Sequence, residues 1–249
     1  MGELEGKVVL ITGGSRGMGE QMAHAFAGEG ASIIVASRKL DNCVKVADEI
    51  SGRYGVRAFP AAFNVSDWTQ CDELIAAAYD AFGQVDVLIN NAGLGGTSSV
   101  LDMTDERWLR VLDVTLNGTF RCTRAALRQM VAQGHGGAVV NNASVLGWRA
   151  QPGQAHYAAA KAGVMAFTRC AALDVAGHGI RVNAVAPSLA IHPFLAKVTD
   201  EDLLAELAGR EAFGRAAEPW EVANVMVFLA SDLAGYMTGE VVSVSGQHP

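Results

Sequence analysis

Short apolar runs alternate with stretches of helical periodicity along almost the whole chain. Residues 7–12, Lys-Val-Val-Leu-Ile-Thr, are apolar without polar alternation, which is typical of a strand buried on both faces. Helical spacing follows over 17–29. The same pattern predicts further strands at 32–37, 57–60, 86–90, 138–142, 180–186 and 240–244, and further helices at 41–53, 67–82, 104–131, 155–177 and 219–231.

Strands that alternate with helices through short connections pack as a parallel sheet covered by helices. The fold class predicted here is therefore α/β, a Rossmann-type doubly wound parallel sheet with helices on both faces. A length of 249 residues suits one domain, 1–249, and no composition break suggests a second one. The stretch up to about residue 213 after the strand at 180–186 is predicted to be irregular and partly helical, and Asp41 is predicted to cap the helix at 41–53.

Composition excludes several function classes. Half of the residues are hydrophobic, 18% are charged and the net charge is −7, so no basic surface for nucleic acid is expected. Four widely spaced cysteines without a Cys-x-x-Cys pair, and no His cluster at ligand spacing, indicate neither a disulfide framework nor a metal site. No signal sequence is evident and no apolar run reaches the ~18 residues that span a bilayer, so we expect a cytoplasmic protein without membrane contact.

A glycine-rich turn lies where the first strand should meet the first helix. It reads Thr12-Gly-Gly-Ser-Arg-Gly-Met-Gly19. Glycines let the backbone approach a pyrophosphate, while the N–H groups and positive end of the following helix favour the anion. In a chain with 28 glycines, a glycine-rich stretch by itself could be only a turn. Its place between a strand and a helix favours dinucleotide binding.

The end of the second strand bears on the choice between NAD and NADP. A carboxylate there would hold a ribose 2′-hydroxyl, whereas an arginine would hold a 2′-phosphate. The residues are Ser37, Arg38 and Lys39, and Arg16 in the glycine turn adds another positive group. This favours NADP(H), with NAD(H) as the alternative if the basic residues form only a solvated loop edge.

Tyr157 and Lys161 are spaced to share one face of a helix. A free tyrosine has a pKa near ~10, so proton exchange at neutral pH needs a shift of roughly 3 units, or about 4 kcal/mol. A unit charge at ~4 Å supplies about 4 kcal/mol at an effective dielectric constant of ~20. The spacing alone arises often by chance, so its significance depends on the other motifs.

With Asn90-Asn-Ala-Gly93 after the fourth strand and Ser144 thirteen residues before Tyr157, these motifs together resemble the short-chain dehydrogenase/reductase family, and within it the β-ketoacyl reductase-like group. Further likenesses are the segments at 181–187, 213–223 and 228–239. The enoyl reductases of this fold have a wider Tyr-to-Lys spacing. The resemblance covers nearly the whole chain.

The resemblance implies that Tyr157 exchanges a proton with the substrate oxygen, that Ser144 orients this oxygen, and that Lys161 lowers the tyrosine pKa and binds the nicotinamide ribose. Thr115 is the fourth residue expected to take part in catalysis. The expected cofactor contacts are Gly13, Ser15, Arg16, Gly17, Met18, Gly19, Ser37, Arg38, Asn64, Val65, Asn91, Ala92, Gly93, Tyr157, Lys161, Pro187, Ser188 and Ala190.

The resemblance also implies an oxidoreductase that transfers a hydride between NADP(H) or NAD(H) and a carbonyl or secondary alcohol of an apolar substrate. That substrate is a 3-oxoacyl thioester of CoA or acyl carrier protein, or a cyclic, steroid-derived compound. Residues 188–213 are expected to cover it, and Trp148, Gln151, Gln154 and His156 to contact it. A homotetramer is expected. The alternative is a catalytically weak cofactor sensor or scaffold of the same fold.

The chain departs from the family pattern at several positions. Thr115 stands where the family has an asparagine that supports a water-linked proton relay to the lysine. Asn117 is no substitute, because two residues along a helix rotate a side chain by about 200°. Asn64 replaces an aspartate expected near the adenine. Ser188, His192 and Ser245 are further replacements, the first two near the expected nicotinamide site.

Overall fold

A computed structural model describes residues 2–192, 195 and 200–246. Within these residues the strands form one sheet with the order β3-β2-β1-β4-β5-β6-β7, in which every pair is parallel. The strands are β1 (Val8–Thr12), β2 (Ser32–Ser37), β3 (Ala58–Ala62), β4 (Val87–Asn90), β5 (Gly137–Asn142), β6 (Ile180–Pro187) and β7 (Val241–Val244). The predicted α/β fold with a doubly wound parallel sheet is confirmed.

Helices cover both faces of the sheet and give it two main hydrophobic layers. On one face, for example, Phe26 and Met226 are fully buried, and on the other Leu74 and Met130 are buried. The described helices are α1 (Gly17–Gly28), α2 (Leu40–Tyr54), α3 (Trp68–Phe82), α4 (Asp105–Leu112), α5 (Gly118–Gln133), α6 (Ala155–Val175), α7 (Glu201–Arg210) and α8 (Pro219–Ala230). Single-domain organisation over 1–249 stays a prediction.

The parallel register brings the carboxyl ends of the central strands to one edge. Thr12 of β1 pairs with Asn90 of β4, and Asn90 pairs with Asn141 of β5. The Asn90 amide donates to Asn141 Oδ1 at 2.9 Å, which satisfies buried polar groups between the strands. Loops that leave these strands therefore meet at one place, which is where open α/β sheets bind ligands.

The single helix predicted over 104–131 is wrong in detail. The structure has α4, then a π-helical turn over Asp113–Asn117, then α5. Side chains take over part of the backbone bonding there, because Thr119 Oγ1 donates to the Thr115 carbonyl at 2.8 Å and Arg121 Nη1 donates to the Asp113 carbonyl at 3.4 Å. Wider turns of this kind are common at functional sites.

Smaller boundary predictions also need correction. The third strand is Ala58–Ala62 rather than 57–60. Asp41 does not cap the second helix, because that helix begins at Leu40, is preceded by Lys39 and has no side-chain cap; Asp41 lies in its first turn, where a carboxylate faces the positive helix end.

The stretch over 188–213 contains α7, whose N-cap Asp200 accepts from the Leu203 backbone N–H at 3.1 Å. Leu204 is buried, whereas Leu203 is exposed, so only the first of these leucines packs on the core. Residues 193, 194 and 196–199, which belong to the segment expected to cover the substrate, lie outside the described residues. Among the helices described, none has the length and apolar character needed to cross a membrane.

Outside the expected site, the seam between α1 and α2 brings together Glu20, His24 and Glu49, whose ligand atoms lie within 4.8 Å of one another. His24 Nε2 is 3.7 Å from Glu49 Oε1, as in an ion pair when the imidazole is protonated. The sequence did not reveal this group because Glu49 comes from a different helix.

Candidate active site

The glycine turn between β1 and α1 has the backbone geometry expected of a phosphate cradle. Gly13 and Gly17 have φ of +66° and +58°, conformations that side-chain-bearing residues rarely adopt. A Cβ on Gly19 would lie 2.2 Å from the Gly13 carbonyl oxygen, so the chain here allows no side chain. The N-cap of α1 is Arg16, whose side chain does not cap the helix, which leaves this end of the helix suited to an anion.

Thr12 and Asn91 hold the turn against the end of β4. Thr12 Oγ1 accepts from the backbone N–H groups of Asn91 and Ala92 at 3.0 and 3.1 Å. The Asn91 amide donates to the carbonyls of Thr12 and Gly13 at 3.1 and 3.3 Å. These bonds place Asn91 and Ala92 beside the glycine turn; their contact with a cofactor stays a prediction.

The end of β2 lies next to the same turn. Ser15 Oγ and Ser37 Oγ are 2.6 Å apart, which joins the turn to the strand end. Arg16 and Arg38 are both exposed. The glycine turn, the two serine hydroxyls and the two arginines fit the anionic part of a dinucleotide.

His192 packs directly on the glycine turn. A Cβ on Gly17 would lie 2.9 Å from His192 Nδ1, and this nitrogen accepts from the Leu195 backbone N–H at 3.2 Å. Burial lowers the pKa of His192. The structure thus places this departure from the family pattern on the phosphate cradle.

Asn64 and Val65 lie on the loop after β3. Asn64 is exposed, and its side-chain carbonyl accepts from the Ser66 backbone N–H at 3.2 Å. Arg121 donates to the Val65 carbonyl at 3.1 Å and forms an ion pair with Asp113 at 2.6 Å. The loop is therefore fixed to α5, and the Asn64 amide group stays accessible for a ligand.

Ser144 follows β5 and Tyr157 lies in the first turn of α6. Ser144 Oγ accepts from the Leu146 backbone N–H at 3.2 Å and so caps a short helical turn. The same hydroxyl group acts on Tyr157, because it lowers the pKa of the phenol. Tyr157 is half-buried, and its ring lies against Gly95, where a Cβ would approach to 3.5 Å.

Lys161 follows Tyr157 by one helical turn, as predicted. Its Nζ lies 5.5 Å from the centroid of the Tyr157 ring and donates to the Asn142 carbonyl. The expectation that Lys161 lowers the tyrosine pKa is not met in this structure. Burial raises the pKa of Tyr157, which the Ser144 hydroxyl partly offsets, and burial lowers the pKa of Lys161 to about 8. Desolvation penalises both charged forms, so it opposes an ammonium–phenolate pair.

Thr115 lies in the π-helical turn and is buried. Its hydroxyl accepts from the Leu94 N–H at 3.0 Å and donates to the Leu94 carbonyl at 3.1 Å. A Cβ on Gly93 would lie 3.8 Å from both Thr115 Oγ1 and Lys161 Nζ, so these two groups flank the same backbone. Asn117 is exposed whereas Thr115 is buried, which confirms that the two side chains face different ways.

The end of β6 completes the site. Pro187 is buried, Ser188 Oγ donates to Glu211 at 3.2 Å, and Ala190 pairs with Ala217 in a short parallel bridge. Met18 packs against the first hydrophobic layer beside the turn.

The sequence analysis missed one site residue and placed another wrongly. Asn142, the last residue of β5, donates to Asn91 Oδ1 at 3.1 Å while its carbonyl holds Lys161. Its place at a strand end beside Ser144 was the available signal. The predicted substrate contact His156 is wrong, because its side chain is fully buried. One residue along a helix rotates a side chain by about 100°, which turns His156 inward beside Tyr157.

Comparison with known proteins agrees with this arrangement. A family model described as Enoyl-(Acyl carrier protein) reductase matches residues 13–246. A short chain dehydrogenase from Mycobacterium smegmatis has a solved structure with a TM-score of 0.87 and 46% identity, over 100% of this chain and 95% of that one. The chain belongs to the short-chain dehydrogenase/reductase family. Members are NAD(P)-dependent oxidoreductases that interconvert alcohols and carbonyls.

Two curated members of the family are close in sequence. The (5R,7aS)-5-hydroxy-7a-methyl-1-oxo-2,3,5,6,7,7a-hexahydro-1H-indene-carboxyl-CoA reductase of Mycobacterium tuberculosis is 52% identical over 249 residues, which are 100% of this chain and 95% of that protein. The 3-oxoacyl-[acyl-carrier-protein] reductase FabG of Thermotoga maritima is 39% identical, over 98% of each chain.

Proposed function

We propose that this short-chain dehydrogenase/reductase is an NADP(H)-dependent reductase of a carbonyl group on an apolar acyl thioester. The observation that carries the proposal is the arrangement of Tyr157 and Lys161 one helical turn apart, with Lys161 Nζ 5.5 Å from the Tyr157 ring centroid, beside a glycine turn that fits a dinucleotide. The opposite direction, oxidation of the alcohol, uses the same groups.

In this reaction Tyr157 donates a proton to the carbonyl oxygen, and Ser144 donates a hydrogen bond to the same oxygen and fixes its position. Lys161 holds the ribose of the cofactor and returns a proton toward Tyr157 after each turnover. Thr115 holds the Leu94 backbone beside Lys161 and so shapes the path by which the proton arrives. The raised tyrosine pKa keeps the hydroxyl protonated at neutral pH, as a proton donor requires.

The nicotinamide cofactor, when bound, supplies or accepts the hydride. The first turn of α1 and its glycines would hold the pyrophosphate, and Asn64 and Val65 would hold the adenine. Ala92, Gly93 and the residues after β6 would bind the rest of the cofactor. The preference for NADP(H) is supported by exposed Arg38 and Arg16 and by the absence of a carboxylate at residues 37–39.

The names of the relatives support a thioester substrate, because one acts on a carboxyl-CoA ester and the other on a 3-oxoacyl-[acyl-carrier-protein]. The higher identity of the first favours a cyclic, steroid-derived CoA ester. We place the enzyme in the cytoplasm, which the unpaired state of the four cysteines supports.

Exposed apolar surface supports the proposal of a homotetramer. A groove of about 420 Å³ between α5 and α6 is lined by Phe120, Leu127, Val131 and Phe167 among others. On the opposite side, Trp220 of α8 and Tyr236 after it are exposed, at 56% and 105%. Two separate patches of this kind suit two kinds of subunit contact. A monomer in analytical ultracentrifugation at micromolar concentration would contradict the proposal.

The test of function is loss of NADPH absorbance at 340 nm with acetoacetyl-CoA, a cyclic keto-CoA ester and simple cyclic ketones. We expect turnover of the thioesters, with a higher kcat/KM than for the free ketones. A protein that binds NADPH but reduces none of these compounds would be a cofactor sensor rather than the proposed reductase.

A further inference from the structure

Arg107 stands out beside the candidate site because no group in the described residues neutralises it. It lies in the first turn of α4, where Thr104 Oγ1 accepts from its backbone N–H at 3.2 Å and fixes the start of the helix. The side chain is exposed, and within the described part of the chain its guanidinium has no ion pair or hydrogen bond. Asp105 and Glu106 are adjacent in sequence but do not pair with it.

The guanidinium is aimed at the loop that borders Tyr157. Arg107 Nη2 lies 3.9 Å from the position of a Cβ on Gly96, whose φ of +148° suits glycine alone. At the neighbouring Gly95, a Cβ would lie 3.5 Å from the Tyr157 ring. The loop itself is held in place, because the Thr115 hydroxyl binds both backbone groups of Leu94.

The loop that precedes α6 is hydrogen-bonded to the residues that follow Gly96. The Ser98 N–H donates to the Gly153 carbonyl at 3.0 Å, and the Gln154 amide donates to Thr97 Oγ1 at 3.3 Å. The positive charge of Arg107 also reaches the helix that carries Tyr157, since it contributes, after burial, to the lowered pKa of His156. An unpaired cation therefore lies on the solvent side of the loop that contacts the proton donor.

We propose that Arg107 determines specificity for CoA thioesters by binding a phosphate of the CoA tail at the entrance of the active site. This rests on the proposed function. A guanidinium presents several N–H donors that match phosphate oxygens, and an exposed arginine is free to follow a flexible tail. The acyl group is neutral and needs no such contact, whereas the CoA tail beyond the thioester carries anionic phosphates.

The test compares two thioesters of one acyl group, acetoacetyl-CoA and acetoacetyl-N-acetylcysteamine, which lacks the phosphates. In Arg107→Gln we expect about a tenfold higher KM for the CoA ester, an unchanged kcat and an unchanged KM for the truncated ester. Arg107→Lys should recover part of the loss. Arg110→Gln is the matched control, because Arg110 is an exposed arginine three residues further along the same helix, and it should change either KM by less than about twofold.

Calorimetric binding of CoA itself tests Arg107 without turnover. We expect Arg107→Gln to weaken CoA binding about tenfold and to reduce the dependence of Kd on salt. An equal loss for both thioesters, or unchanged affinity for CoA, would overturn the assignment. If the wild-type protein bound CoA through Arg107 but reduced neither ester, the reductase proposal would fail and the phosphate site would stand. A phosphopantetheine thioester with the same arginine dependence would place the contact at the phosphate nearest the thioester.

Discussion

Replacement of Gly19 by alanine tests whether the glycine turn is a cofactor cradle. The added methyl group would lie 2.2 Å from the Gly13 carbonyl oxygen and 2.6 Å from the Asn91 side-chain nitrogen, whereas ordinary contacts begin near 3.4 Å. The Gly13 oxygen is backbone and cannot rotate away. The start of α1 must therefore move by about 1 Å relative to β1. A displacement of this size at an active site can lower the reaction rate by about two orders of magnitude.

We expect Gly19→Ala to raise the Kd for NADPH at least about tenfold and to lower the free energy of unfolding by about 1–3 kcal/mol, the usual cost of overpacking. Fluorescence titration measures the first quantity and urea denaturation the second. The matched control is Gly52→Ala in α2, where a Cβ meets nothing within 4 Å. It should leave NADPH affinity unchanged and increase stability by about 0.5–1 kcal/mol. Unchanged NADPH affinity in Gly19→Ala would refute the cradle.

Three further predictions concern charge and proton transfer. Arg38→Asp should lower kcat/KM with NADPH and raise it with NADH; an unchanged ratio in steady-state assays contradicts the proposed phosphate contact. Thr115→Asn should speed proton exchange and alter the pH–rate profile, and identical profiles would exclude a role for Thr115. Because burial lowers the pKa of Lys161 to about 8 from about 10.4 when unfolded, the unfolded state binds more protons between these values and stability should rise there with pH. Lys161→Met should be more stable than wild type at pH 7 by about 3 kcal/mol in urea denaturation, and this gap should shrink between pH 8 and about 10; a constant gap contradicts the desolvation.

Local patterns were sufficient to predict the sheet. Runs such as 7–12 and 32–37 are apolar on both faces, which a strand at the centre of a parallel sheet requires, and the structure buries them as expected. The positions of Tyr157 and Lys161 on one helix face follow from helix geometry alone. The register of Thr12, Asn90 and Asn141 then follows from parallel pairing.

The errors arise where the outcome depends on contacts between distant segments. The break in the helix over 104–131 involves Thr119 and Arg121 bonding to carbonyls, which helical periodicity does not encode. Whether the pKa of Tyr157 is raised or lowered depends on how deeply the residue is buried. The burial of Tyr157 and Lys161 depends in turn on the elements packed around them, which the local sequence does not give. His156 was misplaced because nearness in sequence to Tyr157 does not determine which way a side chain faces.

The central claim is that the Tyr157 hydroxyl transfers the proton. Tyr157→Phe removes this group and keeps the ring that contacts Gly95 and Lys161. With acetoacetyl-CoA at saturating NADPH, followed at 340 nm, we expect kcat to fall by about 10²–10⁴ while the Kd for NADPH changes little. A Tyr157→Phe enzyme with wild-type kcat would contradict the account.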